Sequence, residues 1–189
     1  MPRLWKAMMQ TAMQMFDPEP AGGPRDQIAA LPVRLREDGE LEVLLVTSRE
    51  TRRWIIPKGW PMNGLDDHDA AGVEAREEAG VRGKLLATPV GRYAYWQRGR
   101  VETRFLQVDV FLLRVEKVLK SWKEKDQRER RWFSVVDAAD HVQEADLGQV
   151  FLRLAGQAPA RRFLGLEGKK RGKKAAREGQ PSAGGSGPG

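Results

Sequence analysis

The stretch AGVEAREEAGVRG, residues 71–83, places three carboxylates within five positions of one another, at Glu74, Glu77 and Glu78. On a helix, residues three and four positions apart share a face, so these like charges repel one another and destabilise the helix. A divalent cation offsets that cost directly, because carboxylate oxygens are the ligands that Mg²⁺ and Mn²⁺ prefer. The alternative interpretation is a solvated acidic face, which is the usual fate of a charge cluster.

The sequence on either side of the glutamates favours the cation. WIIPKGW, residues 54–60, precedes the helix as an apolar strand end followed by a glycine turn. Alanines at positions 71, 75 and 79 let the helix lie close to other structure, and Gly80 is typical of the residue that ends a helix. We therefore predict a helix over residues 67–79 that carries a metal-binding face.

Residues 59–81 resemble the signature of the Nudix hydrolases. That signature reads glycine, five residues, glutamate, seven residues, then Arg-Glu-aliphatic-x-Glu-Glu-x-Gly-aliphatic. The matching positions in this chain are Gly59, Glu74, Ala75, Glu77, Glu78, Gly80 and Val81. Two positions depart from the signature: Leu65 replaces the first glutamate, and Val73 replaces the arginine.

The resemblance implies both a fold and a chemistry. The fold is an α/β protein, an α/β/α sandwich with a mixed β-sheet. The activity is metal-dependent hydrolysis of a phosphoanhydride bond, with Mg²⁺ or Mn²⁺ as the cofactor. Glu74, Glu77 and Glu78 are the implied metal ligands, joined by the Gly59 carbonyl, and Glu74 is the candidate base that takes the proton of the attacking water.

The valine at position 73 leaves a second reading open. In the family the arginine holds a neighbouring glutamate in position, and Val73 has no charge with which to do so. The alternative is a module that binds a nucleotide or polyphosphate with weak or lost catalysis.

Segments outside the signature resemble one branch of the family, the diphosphoinositol polyphosphate and diadenosine polyphosphate hydrolases. The resemblance covers residues 28–155 and rests on RRWIIPKG, AGVRGKLL, QRGRVETR and VEKVLKSWKEKDQRERRWFSVVDAA. A highly phosphorylated substrate needs several cations around the metal site. The predicted substrate-binding residues are Arg53, Lys58, Arg98 and Arg100, and the alternative for each is an ordinary surface charge.

An acid from a late loop is expected to complete the catalytic set. The candidates are Glu124, Asp126 and Glu129, which all lie in SWKEKDQRER, residues 121–130. Glu129 is the prediction, because it directly precedes the Trp-Phe strand that matches the branch. The alternative is a partner for a neighbouring arginine, Arg128 or Arg131.

The chain divides into three parts. Residues 1–27 read as an amphipathic helix and a linker, residues 28–155 as the Nudix domain, and residues 156–189 as a basic, glycine-rich disordered tail. Within the domain, residues 137–155 are predicted to form one closing helix. The predicted strands are IAALPVRLR, LEVLLVT, KLLATPVGRYAYW, TRFLQVDVFLLRV and RWFSV.

Composition limits the location and the partners. The net charge is +7, but the last 34 residues hold eight basic and two acidic side chains, so most of that charge lies in the tail. The chain has no cysteine, and no apolar run is long enough to span a membrane. We expect a cytoplasmic protein without a membrane partner. Its partner is a phosphorylated small molecule, and the N-terminal helix is a candidate homodimer contact. Nucleic acid, including an RNA 5′ end that the enzyme hydrolyses, is the weaker alternative.

Overall fold

A computed structural model describes residues 26–98 and 103–166 of the chain. One eight-stranded sheet organises them, in the order β3-β2-β1-β7-β5, with β4 on β1, β6 on β7 and β8 on β2. β1 and β7 run parallel, and the other pairs are antiparallel, so the sheet is mixed as predicted. The strands are β1 Gln27–Leu35, β2 Leu41–Thr47, β3 Trp54–Ile55, β4 Lys58–Gly59, β5 Val81–Leu85, β6 Gly91–Arg98, β7 Thr103–Val118 and β8 Arg130–Ser134.

Helices cover both faces of this sheet. The first helix, α1 (Asp67–Glu74), packs its alanines on the face that carries Ile28, Ala30 and Leu113. Three short helices, α2 (Val135–His141), α3 (Ala145–Leu154) and α4 (Ala158–Leu164), pack on the opposite face. Successive side chains of a strand point to opposite faces, so β1, which is apolar over residues 28–33, contributes side chains to both cores. The predicted α/β/α sandwich is confirmed.

The glutamate helix ends in a widened turn. After α1 the chain continues as a π-helix, Ala75–Ala79, and stops at Gly80, whose φ of 63° is the left-handed conformation that glycine adopts without strain. Single π turns inside helices are frequent at functional sites. Residues 67–79 are thus helical as predicted, but Glu77 and Glu78 lie on the π turn.

Two predicted elements are each split in the structure. The closing helix predicted for residues 137–155 is two helices, because Val142 is extended (ψ 148°) between α2 and α3. The strand predicted for KLLATPVGRYAYW is interrupted at residues 86–90, so that β5 and β6 pair with different parts of the sixteen-residue β7. Pro89 lies in that interruption, where it has no N–H to give to a ladder.

The predicted limit of the domain at residue 155 falls short of the structure. Helix α4 lies in the segment that we predicted to be a disordered tail, and its Ala160 and Leu164 belong to the core. The averaged basic composition hid this short apolar stripe. The predicted N-terminal helix and the remainder of the tail, residues 167–189, lie outside the described residues. In the segments that the structure does describe, no helix combines the length and apolar character needed to cross a membrane.

Replacing Leu164 by alanine tests whether α4 belongs to the domain. Leu164 is 3% exposed, so the substitution is expected to lower the free energy of unfolding by about 2–4 kcal/mol. Leu152 is a matched control, since it lies on α3 with 46% exposure, and its substitution should cost less than about 1 kcal/mol. Urea denaturation of the two variants measures the difference, and equal small losses would show that α4 contributes nothing to stability.

Candidate active site

Glu74 lies against the backbone of β4. A Cβ atom built on Gly59 would come within 2.1 Å of Glu74 Oε1, so the carboxylate fills the space that any other side chain at position 59 would need. Burial is the main cause that raises the pKa of Glu74, and the nearby charges of Glu77 and Glu124 raise it further. The two predicted metal-site positions, Gly59 and Glu74, are therefore in contact.

Glu78 is the most buried of the three helix glutamates. One of its oxygens, Oε2, accepts a hydrogen bond of 3.1 Å from the Lys58 N–H, and the other, Oε1, accepts a short one from Arg128 Nη2. Burial raises the pKa of Glu78 to about 7, even though Arg128 and the Lys58 N–H favour the ionised form. A carboxylate in this environment gains from any additional cation that reaches it.

The late loop, residues 119–129, closes over the end of the glutamate helix. The N–H of Leu119 donates to the carbonyl of Gly80 (2.8 Å), and the N–H of Glu124 donates to the carbonyl of Glu77 (3.1 Å). Lys123 Nζ lies 2.6 Å from Glu77 Oε2, and this bond raises the pKa of Lys123. The loop therefore uses backbone groups that a helix end leaves unpaired.

Glu124, and not Glu129, is the late-loop acid that the structure brings to the helix glutamates. Its charge raises the pKa of Glu74, and its carboxylate bonds Arg128 Nε at 2.5 Å. The Glu129 carboxylate is bonded to Arg52 Nη2 at 2.6 Å, an arginine other than the neighbouring Arg128 and Arg131 that were its predicted alternative partners. The sequence offered three acids in this loop and no signal that ranks Glu124 above the others.

Of the predicted phosphate-binding residues, Lys58 lies beside the glutamates. Its charge lowers the pKa of Glu74 and Glu78, and its Nζ lies 4.9 Å from the centre of the Tyr95 ring. Arg53 points elsewhere and bonds Gln143 Oε1 (2.7 Å) and Glu144 Oε1 (3.3 Å). Arg98 ends β6 and its side chain lies outside the described residues, as does the whole of Arg100.

Two cations that the sequence did not single out hold the glutamates in this conformation, Lys123 on Glu77 and Arg128 on Glu78. In the described part of the chain, the one group of acids and histidines with ligand atoms within 4.8 Å of each other is Asp66, His68 and Asp69, at the N-terminal end of α1, so the ligand atoms of the three helix glutamates do not all lie within that distance. Exposed acidic groups of that kind are common without an ion. The donor set of the glutamate cluster is entirely oxygen, which suits Mg²⁺ or Mn²⁺.

Comparisons with known proteins place this geometry in a family. The NUDIX domain matches residues 25–154. "Nudix hydrolase 13, mitochondrial" from Arabidopsis thaliana is 32% identical over 113 residues, which cover 54% of each chain, so this chain spans about half the length of that relative. Diphosphoinositol polyphosphate phosphohydrolase 3-alpha from Mus musculus is 37% identical over 132 residues, 68% of this chain and 73% of the relative.

Solved structures agree on the fold. A crystal structure of a C. elegans Ap4A hydrolase superposes with a TM-score of 0.53 at 18% identity and covers 70% of this chain and 96% of its own. The matched domain spans more than half of the chain and includes every helix glutamate discussed above. The chain therefore belongs to the Nudix family.

Proposed function

We propose that this protein is a metal-dependent pyrophosphohydrolase that cleaves a phosphoanhydride bond in a highly phosphorylated substrate. The observation that carries the proposal is the group of four carboxylates at the end of α1, on the π turn and on the late loop: Glu74, Glu77, Glu78 and Glu124. Burial and the charges of Glu77 and Glu124 raise the pKa of Glu74, burial and the charge of Glu74 raise the pKa of Glu78, and acids perturbed in this way concentrate at functional sites. A divalent cation offsets the repulsion between these charges with the ligands already present.

The glutamates have two proposed roles, metal binding and proton transfer. Glu74, Glu77, Glu78 and Glu124 are the groups that would hold Mg²⁺ or Mn²⁺, together with the carbonyl of Gly59. When bound, such a cation neutralises phosphate oxygens and lowers the pKa of a coordinated water. Glu74 is the candidate base, because neither Lys123 nor Arg128 bonds its carboxylate, which leaves it able to take a proton from the attacking water.

Lys58 is the candidate residue for orienting the phosphates. Its charge acts on Glu74 and Glu78, its backbone N–H bonds Glu78, and an ammonium group binds phosphate oxygens as a point charge. The mouse relative is named for a diphosphoinositol polyphosphate, so inositol pyrophosphates join diadenosine polyphosphates as the favoured substrates. A cytoplasmic location and a small-molecule partner, with a homodimer through the N-terminal segment as an alternative assembly, belong to the same proposal.

A binding module with weak or lost catalysis is the second candidate, and one observation favours it. Lys123 and Arg128 already neutralise Glu77 and Glu78, so the fold does not depend on a metal to balance these charges. An RNA 5′-end pyrophosphohydrolase is the third, and it rests only on the basic composition of the C-terminal residues.

A substrate screen with metal removal distinguishes these functions. Diadenosine polyphosphates, inositol pyrophosphates, ADP-ribose, nucleoside triphosphates and 5′-triphosphate RNA are each incubated with Mg²⁺ or Mn²⁺, and products are separated by ion-exchange chromatography. We expect hydrolysis of the first two classes and a loss of at least about 100-fold after chelation, because the metal stabilises charge in the transition state. Readdition of Mn²⁺ should restore the rate. Tight binding without any product would support the binding module instead.

A further inference from the structure

Arg128 is a buried cation with acceptors on three different elements. Its side chain is 5% exposed, and all three guanidinium nitrogens are bonded. Nη2 donates to Glu78 on the π turn, Nε donates to Glu124 on the late loop, and Nη1 donates to the carbonyl of Thr47 (3.0 Å) at the end of β2. The planar guanidinium suits this role, because it holds its donors in a fixed, forked geometry.

The backbone around Arg128 is fixed as well. The Thr47 N–H donates to the carbonyl of the neighbouring residue, Glu129, and the Glu129 N–H donates to the Thr47 hydroxyl, each at 2.9 Å. The late loop is therefore clamped to the end of β2 at the position from which Arg128 reaches the glutamates. Glu78 is held from two sides, by Arg128 at Oε1 and by the Lys58 N–H at Oε2.

We propose that Arg128 is a positioning residue, which fixes Glu78 and Glu124 relative to each other and to β2 for the bound cation. This inference rests on the proposed function, since it assigns these carboxylates to the metal. Arg128 itself touches neither metal nor substrate in this role. Position 73, where the family signature has an arginine, holds a half-buried valine that lines a groove with Arg82 and Leu85. The cation that orients Glu78 comes from the late loop instead.

Stability alone does not account for this arrangement. Removing a guanidinium from water is costly, and well-packed apolar side chains commonly replace buried ion pairs with no loss of stability. A buried charge network does, however, specify one geometry of its members. The geometry that Arg128 specifies is that of two carboxylates in the cluster, which is where a displacement of about 1 Å is expected to reduce a catalytic rate.

Arginine and methionine have similar lengths, so Arg128→Met removes the charge and leaves much of the volume. We expect it to weaken Mn²⁺ binding about tenfold, measured by electron paramagnetic resonance, and to lower kcat about 100-fold with little change in KM. Arg128→Lys keeps the charge but not the fork, and should recover only part of both losses. Arg131→Met is the matched control, because Arg131 is exposed on β8, and it should stay within about twofold of the wild type.

A double-mutant cycle on Mn²⁺ binding tests whether Arg128 acts through Glu78. If it does, Arg128→Met has little further effect in a Glu78→Gln background, whereas independent effects multiply. The inference would be overturned if the effects of the two substitutions on Mn²⁺ affinity multiplied. It would also be overturned if Arg128→Met kept the wild-type Mn²⁺ affinity and kcat. The proposed function can fail separately from this inference. If the wild-type protein binds Mn²⁺ and the cycle shows coupling, but none of the screened substrates is hydrolysed, the enzymatic proposal is wrong and the positioning role of Arg128 stands. A wild-type protein that binds no Mn²⁺ overturns both.

Discussion

Glutamine in place of Glu78 is expected to lower kcat by about three orders of magnitude on the substrate that the screen identifies. The change removes one negative charge from the ligand set, and a metal's stabilisation of transition-state charge amounts to several kcal/mol. The amide oxygen can accept only one of the two hydrogen bonds that the carboxylate accepts, from the Lys58 N–H at Oε2 and from Arg128 at Oε1, so the variant is expected to lose about 1–3 kcal/mol of stability. Steady-state kinetics at saturating Mn²⁺, with a thermal melt of the same sample, separates lost chemistry from lost structure.

Glu116→Gln is the control for that experiment. Glu116 is an exposed acid on β7 that pairs at 4.0 Å with Lys84, and its neutralisation should change kcat by less than about twofold. If Glu78→Gln kept kcat within about tenfold of the wild type, the metal-binding role of the π turn would be wrong. Hydrolysis, if present, would then have to be assigned to other residues.

The charge balance of the site explains why a positively charged chain gathers its carboxylates. Two of the cations around the glutamates bind them directly: Lys123 bonds Glu77 and Arg128 bonds Glu78. Arg130 donates to the carbonyls of Ala79 and Gly80 and so caps the end of the same helix. These basic residues of the late segment neutralise the protein's own groups. The sequence shows how many basic residues this segment has, but not which of them is available to bind the phosphates of a substrate.

Local patterns predicted this fold well where the determinant is local. The glutamate helix follows from spacing and a terminal glycine, and the sandwich follows from the family signature around Gly59. The late-loop acid depends instead on the path of residues 119–129, which is set by hydrogen bonds to a helix end some forty residues earlier in the chain. No spacing rule reports such a path, and the choice between Glu124 and Glu129 therefore needed the structure.

The misplaced boundaries have a related cause. The closing helix is divided at residues 142–144, where Val142 and Glu144 are extended, while the apolar periodicity on either side continues through the break. Helix α4 is one short apolar stripe in a segment whose average composition is basic and glycine-rich. Composition averaged over a long sequence window does not reveal a break of a few residues or a helix of two turns. Short elements at the edge of a domain are decided by packing on a surface that the sequence does not display.

Alanine at position 59 is expected to reduce kcat about 100-fold while leaving the protein as stable as the wild type. The added Cβ would lie 2.1 Å from Glu74 Oε1, which is the far end of a flexible side chain, so the carboxylate moves and the backbone stays. A displacement of about 1 Å in a reacting group is enough for a loss of that order. Gly59 does not have a positive φ, so the substitution adds no backbone strain.

The paired measurement is kcat with Mn²⁺ and the midpoint of thermal unfolding, each for Gly59→Ala and for Gly156→Ala. Gly156 is exposed, and a Cβ there meets its nearest neighbour, the Arg153 carbonyl oxygen, at an ordinary 3.4 Å. That control should keep both values. A Gly59→Ala variant with kcat within about threefold of the wild type would mean that the position of Glu74 against β4 does not matter for the reaction, and Glu74 would lose its assignment as the base. A large fall in the unfolding midpoint would instead show that the backbone yields before the carboxylate does.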